Sequence, residues 1–357
     1  MPLKNGIASP STASRMLAGI DEELFQLEFM EWIGEILNAK GKHLIIDGKA
    51  LRGAASTVKD ARAPLLMNVI EAATGLVLAQ FPIADKDCEI TAILELLPLL
   101  ELQGSTVTID AIGTQTGIME QILEQGGHFV LQVKKNQPQS YEEITQCFEK
   151  LKDDFQKIKK DSQYQTQFPE LMKTYNEVNY MEKNRERYES RWCGACLDTA
   201  FITKTKKEWP FIKTVGQIRQ YRIPLKRDSE GNDITITSED YLEQLQETEN
   251  KSNRILEMGI ISDREFTAEE LLQMKRKHWT IENGLHHILD DTFREDRSPA
   301  KKSRNNLALV RKFAYNILRI AMLSEPCDGI MTELMDTFCD DLSYTEKYVF
   351  NGISSFY

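Results

Sequence analysis

Hydrophobic positions at the start of the chain follow helical spacing first and strand spacing afterwards. Apolar side chains recur at helical intervals from Leu24 to Leu37, and Asp21 stands where a helix cap is needed, so this segment predicts an amphipathic helix. Three short apolar runs come next, with the turn residues Ala73-Thr74-Gly75 between the last two. They predict three successive strands, of which the second and third form a hairpin, at His43–Ile46, Leu65–Ile70 and Leu76–Phe81.

Two helices alternate with two more strands in the next stretch. A dense helical pattern covers Cys88–Leu102, and a second covers Thr114–Glu124, which Gly126-Gly127 closes. The β-branched strand Thr106–Ile109 lies between them, and the strand His128–Val133 follows. A three-stranded meander followed by such crossovers is the order of a ribonuclease-H-like α/β core, a mixed sheet flanked by helices. Other mixed folds share this order, so that alternative stays open.

The spacing of hydrophobic residues in the second half of the chain changes from helical to strand-like and then back to helical. A charged helical stretch, Glu142–Lys160, gives way to alternating segments and to the turn Asp228–Asn232, which predict a β-rich insertion before the last helix of the core. Helical spacing returns at Thr267, whose pairing with Glu270 is typical of a capping box, and continues through Leu289. The predicted domains are an N-terminal helical segment at 1–40, the core at 41–150 and 265–322, the insertion at 151–264 and a C-terminal tail at 323–357.

Composition and charge narrow the class of protein. Hydrophobic residues make up 41% of the 357 residues and charged ones 28%, which is typical of a folded globular chain rather than a disordered one. The formal net charge of −11 argues against a protein that coats nucleic acid non-specifically but leaves room for a local basic groove. No apolar run is long enough for a membrane helix or a secretory signal, and the scattered cysteines are typical of reduced thiols. We therefore expect a cytoplasmic protein with no membrane partner.

Three carboxylates from distant parts of the chain are candidates for one site. Asp47 ends the first predicted strand and Asp110 the fourth, and these strands are neighbours in the expected topology. Glu282 lies on the late helix in line with Leu285 and Leu289, so we expect it to point inward. Three such acids suit two Mg²⁺ or Mn²⁺ ions and phosphodiester cleavage or transfer. The alternative, two turn aspartates and a solvated glutamate, stays open on spacing alone.

Seven motifs in fixed order resemble one family. They are similar to those of the H-repeat-associated transposases, DDE transposases of bacterial insertion sequences, and the likeness covers nearly all the chain. The motifs are HLIIDGKALRG, VTIDAIGTQ, FVLQVKKNQP, YESRW, WPFIKTVG, KHWTIENGLHHILDDTFRED and NLALVRKFAYNIL. The resemblance implies a ribonuclease-H-like catalytic domain with a β-rich insertion, in which Asp47, Asp110 and Glu282 bind two Mg²⁺ or Mn²⁺ ions.

The chain departs from the family pattern in three places. It looks shortened before NGIASPSTASRML, where family members carry a further helical segment that contributes to DNA binding. The lysine-glycine-asparagine-glutamine motif appears as Lys134-Lys135-Asn136-Gln137, and the usual histidine-tryptophan pair is His286-His287. The shortened N-terminus bears on activity more than on the chemistry of the three acids.

Several basic and aromatic residues are candidates for contact with DNA. Lys49 and Arg52 follow the first acid and suit a phosphate, with a solvated loop as the alternative. Trp279 suits stacking on an unpaired base, although packing within the helix explains it as well. Lys134 and Arg276 are further candidates. The last candidates, Lys301, Lys302 and Arg304, lie in a basic run that continues to Arg311 and Lys312, for which a solvated helix face is the alternative.

Metal sites built on cysteine or histidine are disfavoured. Cys193 and Cys196 form a CxxC pair without the further ligands that zinc needs, so ordinary strand cysteines are the preferred interpretation over a zinc or redox site. His278, His286 and His287 lack the spacing of the HExxH motif.

The leading functional hypothesis is a transposase that recognises terminal inverted repeats and joins the cut 3′ ends to target DNA. Its expected partner is double-stranded DNA, on which we expect a homo-oligomer to assemble. One alternative is a catalytically inactive or co-opted DNA-binding remnant of such a transposase, suggested by the short N-terminus. Another is a nuclease of the same fold that hydrolyses strands without joining them.

Overall fold

The protein is described by a computed structural model that covers residues 8–54, 63–83, 89–160, 169–184, 187–224, 255–325 and 330–350. The chain divides into two compact units. The first comprises Met1–Thr108, Glu120–Gly127 and Lys277–Tyr357, and the second comprises Ile109–Met119 and His128–Arg276. The predicted turn Asp228–Asn232 lies outside the described residues.

Strands and helices alternate through the described residues in a mixed α/β arrangement. The strands are β1 His43–Ala50, β2 Leu65–Glu71, β3 Val77–Ile83, β4 Thr106–Ile109, β5 His128–Val133, β6 Tyr175–Asn184, β7 Arg187–Cys196, β8 Thr214–Pro224 and β9 Ile255–Ser262. The helices are α1 Pro10–Ala18, α2 Glu22–Ile36, α3 Glu89–Leu96, α4 Thr116–Glu124, α5 Pro138–Lys160, α6 Pro169–Thr174, α7 Thr203–Glu208, α8 Ala268–His278, α9 His287–Asp291, α10 Arg304–Ser324, α11 Met331–Asp340 and α12 Leu342–Thr345. No helix in the described ranges is both long and apolar enough to cross a membrane.

The sheet of the first unit is built on the predicted hairpin. Its strand order is β3-β2-β1-β4, and β2 pairs antiparallel with both β1 and β3. The turn between β2 and β3 is held by Glu71, whose carboxylate accepts hydrogen bonds from the backbone N–H groups of Ala73 and Thr74. Gly75 follows at φ +74°, a conformation that a side chain disfavours. The hairpin and the adjacency of the first and fourth strands are therefore confirmed.

Helices cover one face of this sheet. Phe29 of α2 and Tyr315 of α10 join Ile45 of β1 in one buried cluster, and Leu285 and Leu289 from the late helical segment complete it. Asp21 caps α2 as predicted, accepting a hydrogen bond from the N–H of Leu24. Burying such side chains stabilises a fold by roughly 1.5–3 kcal/mol each. The late helical segment is thereby fixed over β1.

Five described strands of the second unit pair antiparallel. Their strand order is β5-β9-β8-β7-β6, and every neighbouring pair is antiparallel. Helix α8 packs on this sheet through Leu271, which meets Cys193 and Ile218 in a buried cluster. A Cβ on Gly216 would lie 2.5 Å from Leu271 Cδ1, so a larger residue there would displace the Leu271 side chain. Strands β6 to β9 lie in the stretch predicted to be β-rich; that this stretch is an insertion stays a prediction, as does the ribonuclease-H-like detail.

Two local expectations about the elements that carry Asp47 and Glu282 were wrong. Asp47 does not end β1, because Gly48, Lys49 and Ala50 continue the ladder with β2. The long late helix is also not continuous. It begins at the predicted capping box, in which Thr267 and Glu270 bond reciprocally, but α8 ends at His278 and a π-helical turn occupies Glu282–His286 before α9.

Candidate active site

Alternate residues of β1 face the late helical segment of the first unit. Ile45, Asp47 and Lys49 share one face of the strand because side chains alternate along it. Ile45 packs in the cluster with Leu285, while the two polar residues meet other side chains of the same segment. The strand and the helical segment thus bring polar groups together at the edge of a buried core.

Asp47 lies beside an imidazole that is itself oriented by an amide. His286 Nδ1 is 3.7 Å from Asp47 Oδ2, and Asn68 Nδ2 donates to His286 Nε2 at 3.3 Å. Burial, with smaller contributions from Lys49 and Lys312, lowers the pKa of His286 to about 3, so the ring is neutral. With Nε2 accepting from Asn68, the ring proton sits on Nδ1 and faces the carboxylate.

Sequence reasoning missed this arrangement. Asn68 lies opposite Asp47 in the β1–β2 register and is fully buried. The only signal was a polar residue inside the apolar run LLMNVI. A buried amide within a strand is retained where it has a hydrogen-bonding task, which here is to fix the ring of His286.

Glu282 begins the π-helical turn and is exposed, contrary to the expectation that it would point inward. The buried positions of the segment are instead Ile281, Leu285 and Leu289, which are four residues apart, so Glu282 stands one position round from the apolar face. His286 lies one turn further along. Such π turns inside helices occur frequently at functional sites.

Lys49 occupies an internal ion-pair network. Its side chain is only 5% exposed, and its Nζ lies 2.5 Å from Asp290 Oδ1 and 3.5 Å from Glu295 Oε2. Lys312 is fully buried and donates to Gln80 Oε1 at 2.7 Å. Both lysines therefore lie under the surface, where they offset the buried charge of Glu295. Neither ammonium group reaches the surface, because the pairing of β1 and the packing of α10 carry both side chains inward.

Asp110 lies in the second unit, directly after β4, and meets a predicted DNA-binding residue. Lys134 Nζ donates to Asp110 Oδ1 at 2.6 Å. Burial acts to raise the pKa of Asp110, but the hydrogen bond and charge of Lys134, together with the Ala111 backbone and the charge of Lys275, leave the pKa below its ordinary value. The carboxylate is therefore ionised. Asn136 and Gln137 complete the turn by donating to the carbonyls of Ala111 and Thr114.

The other predicted DNA-binding residues differ in solvent exposure and in their partners. Arg52, Lys301 and Lys302 are exposed, and Arg304 is half-buried. Arg276 lies 3.2 Å from Glu182, and Trp279 is half-buried at the break after α8.

The cysteine pair lies in a strand, as preferred from the sequence. Cys193 and Cys196 are buried, free thiols on β7, and burial raises the pKa of both, that of Cys196 to about 11. A thiol of this kind is protonated and unreactive at neutral pH. Cys88 and Cys327 lie outside the described residues.

The three predicted metal ligands fit a divalent cation by chemistry. All three are carboxylates, and hard divalent ions prefer such oxygen ligands. The Asp47 side chain is 22% exposed and that of Asp110 46%, so solvent reaches both. The ammonium of Lys134 already stands on Asp110 where a cation would neutralise it. Across the described ranges, however, no three His, Cys, Asp or Glu side chains are grouped closely enough to hold a metal ion.

Comparison with known proteins identifies relatives over most of the chain. A family model described as the transposase DDE domain matches residues 38–317. The "Putative transposase YncI" of Escherichia coli O157:H7 is 28% identical over 321 residues, which are 88% of this chain and 72% of that protein. The "H repeat-associated putative transposase YhhI" of Escherichia coli K12 is 27% identical over 325 residues, 88% of this chain and 74% of that protein.

A solved structure is more distantly similar. It is the piggyBac transposase in a synaptic complex with hairpin DNA, with a TM-score of 0.39 and 10% identity. The similarity covers 87% of this chain but 53% of that one.

Proposed function

Because this chain belongs to the family of transposase DDE domains, we propose that it is a DNA transposase that cleaves and joins phosphodiester bonds at the ends of an insertion sequence. The observation that carries the proposal is the extent of the family match, since residues 38–317 contain Asp47, Asp110 and Glu282. Membership also agrees with the family expected from the sequence motifs, and relatives named as H repeat-associated transposases support it.

The three acids are the proposed metal ligands. The DDE family implies the use of divalent metal ions, and we assign Asp47, Asp110 and Glu282 to hold two Mg²⁺ or Mn²⁺ ions. When bound, such ions supply activation of the attacking oxygen and stabilisation of the leaving oxygen at phosphorus. The ionised state of Asp110 and the solvent exposure of Glu282 support the assignment.

The protein's own side chains prepare these ligands. We assign His286 the role of positioning Asp47, since its Nδ1–H faces the Asp47 carboxylate and Asn68 fixes its ring. Lys134 holds Asp110 ionised and oriented, in the form in which the carboxylate would hold a divalent cation. The Lys49 network fixes β1 to the segment that follows Glu282, because Lys49 bonds Asp290.

DNA is the proposed substrate and partner. We propose that this chain binds the terminal inverted repeats and the target duplex. A homo-oligomer would bring two element ends together. Arg52, Lys301 and Lys302 are exposed cations of the first unit and suit phosphate contacts, whereas the buried Lys49 does not. The proposed catalytic domain remains 41–150 with 265–322, interrupted by 151–264.

The test is a reaction with a plasmid that carries the gene and its flanking DNA. Purified protein is incubated with this plasmid and Mg²⁺, and the products are sequenced. We expect cleavage at the element ends and joined products, both lost in Asp47→Asn. Cleavage without joining would indicate a nuclease of the same fold, and end-specific binding without cleavage would indicate a non-catalytic remnant; either result contradicts the proposal.

A further inference from the structure

Four arginines converge at one end of the second unit's sheet. Arg187 and Arg191 lie on β7, Arg222 on β8 and Arg276 on α8. Residues 187, 189 and 191 share one face of β7, and the register places Glu189 opposite Arg222. The cluster therefore combines adjacent strands with the end of the helix that packs on them.

Glu189 is the buried centre of this cluster. Its side chain is 5% exposed, yet Arg187 Nε donates to its Oε1 at 2.8 Å and Arg191 Nη2 donates to its Oε2. Arg222 Nε lies 3.9 Å from the same Oε1. One buried carboxylate thus orients guanidinium groups from two strands before any ligand arrives.

Glu182 on β6 links helix α8 to the cluster through an ion pair with Arg276. It lies 2.7 Å from Arg191 Nη1 and 3.2 Å from Arg276 Nη1, and the hydrogen bond from Arg191 holds the pKa of Glu182 below its ordinary value. The side chains joined by these contacts carry four positive and two negative charges. The cluster therefore keeps an excess of positive charge in a chain whose net charge is −11.

Three of the four arginines reach solvent from this base. The side chains of Arg187, Arg222 and Arg276 are 44%, 55% and 41% exposed, whereas that of Arg191 is 13% exposed. We propose that these three, which we term the arginine platform, bind the phosphate backbone of DNA.

The chemistry of the platform favours phosphate as its ligand. A guanidinium presents a planar fork of donors that matches a phosphate in two-point contact, and all the cations here are arginine. Holding the side chains in place before binding reduces the entropy lost on binding. The proposal rests on the proposed function for the identity of the ligand, but it adds a contact surface that the chemistry of the three acids does not use.

The test is the salt dependence of DNA binding by the full-length chain. A labelled duplex of the element end is titrated by fluorescence anisotropy at several salt concentrations, without divalent metal. The variants are Arg222→Gln, Arg276→Gln and the double variant. Arg264→Gln is the matched control, because Arg264 is an exposed arginine beside Phe266, before α8 begins.

Each platform substitution leaves one DNA phosphate without its arginine. The slope of log K against log salt becomes shallower by about 0.9 for each phosphate that is no longer neutralised, which corresponds to roughly fivefold weaker binding near 0.15 M salt. The slope of the double variant is therefore shallower by about 1.8, and Arg264→Gln keeps the wild-type slope. Arg222→Gln retains the fold even if Arg276→Gln does not, since Arg222 is the most exposed and lies furthest from its carboxylate.

The outcomes separate this proposal from the proposed function. If Arg222→Gln and the double variant keep the wild-type salt slope, the DNA-binding role of the arginine platform is overturned. The transposase assignment still stands in that case if the wild type cleaves DNA. Reduced slopes in a protein that never cleaves DNA support the platform and contradict the catalytic assignment. Loss of binding to poly-glutamate with unchanged DNA binding would make the platform a site for acidic protein and overturn the DNA assignment. A wild-type chain that does not bind DNA overturns both.

Discussion

His43 on β1 is expected to contribute a separable part of the acid sensitivity of the first unit. His43 Nε2 lies 2.9 Å from Thr108 Oγ1, and the same hydroxyl lies 3.1 Å from His278 Nδ1. His43 Nδ1 is buried without a hydrogen-bond partner among the described residues. Burial first, and then the charge of Lys277, lower the pKa of His43 to about 4, with Glu71 opposing. Protonation would place a second N–H where the ring has nothing to donate to.

The magnitude follows from linkage between protonation and folding. The unfolded chain protonates His43 at its ordinary pKa of 6.5, whereas the folded chain resists until about pH 4. The stability is therefore complete above pH 6.5 and is lost as the pH falls towards 4. At pH 5, which is about 1.5 units below the unfolded pKa, protonation of His43 stabilises the unfolded state by about 2 kcal/mol relative to the folded state.

The assay is urea unfolding of the wild type, His43→Gln and His287→Gln at pH 7.5 and pH 5. His287 is an exposed histidine of α9 and serves as the matched control. Between the two pH values, we expect His43→Gln to lose about 2 kcal/mol less stability than the wild type, and His287→Gln to behave as the wild type. An equal loss of stability in the wild type and in His43→Gln would contradict a role for His43 in acid sensitivity, whatever the stability at pH 7.5.

Two further predictions use paired positions. Gly34→Ala in α2 is expected to stabilise the protein by about 0.5–1 kcal/mol, since no described atom lies within 4 Å of an added Cβ. Gly53→Ala places a Cβ 2.3 Å from the carbonyl oxygen of Asp296 and is expected to destabilise the protein by about 2 kcal/mol. Thermal unfolding measures both variants, and equal effects on stability would contradict the close approach at Gly53. In a thiol-reagent titration of the native protein, Cys339→Ser is expected to remove one fast-reacting thiol because Cys339 is exposed, whereas Cys193→Ser removes none until the protein unfolds; a fast loss from Cys193→Ser would contradict its burial.

Local sequence patterns predicted several elements of the fold. Helix α2 with its Asp21 cap, the β2–β3 hairpin and the Thr267–Glu270 capping box each depend on residues close in sequence, and each was predictable. The extent of β1 was not, because Gly48 is typical of a turn and only pairing with β2 continues the strand. Long-range pairing, rather than local propensity, decided the position of Asp47.

Side-chain direction in the candidate site was the least predictable feature. Glu282 is exposed because the apolar positions that the core selects are Ile281, Leu285 and Leu289, and one residue of rotation separates it from them. Lys49 is buried because its partner Asp290 comes from a segment 241 residues away in sequence. Charge alone predicts an exposed lysine, and only the tertiary fold supplies the carboxylates that allow its burial.

We propose that Asp47, Asp110 and Glu282 act together in metal-dependent strand cleavage. The most direct measurement is the cleavage rate of element-end DNA with Mg²⁺ by Asp47→Asn, Asp110→Asn and Glu282→Gln, with Asp291→Asn, an exposed acid of α9, as the control. We expect each of the three substitutions to lower the rate at least about a hundredfold, pairs of them to lower it little further, and the control to keep the wild-type rate. A rate within tenfold of wild type in any one of the three would contradict the proposal.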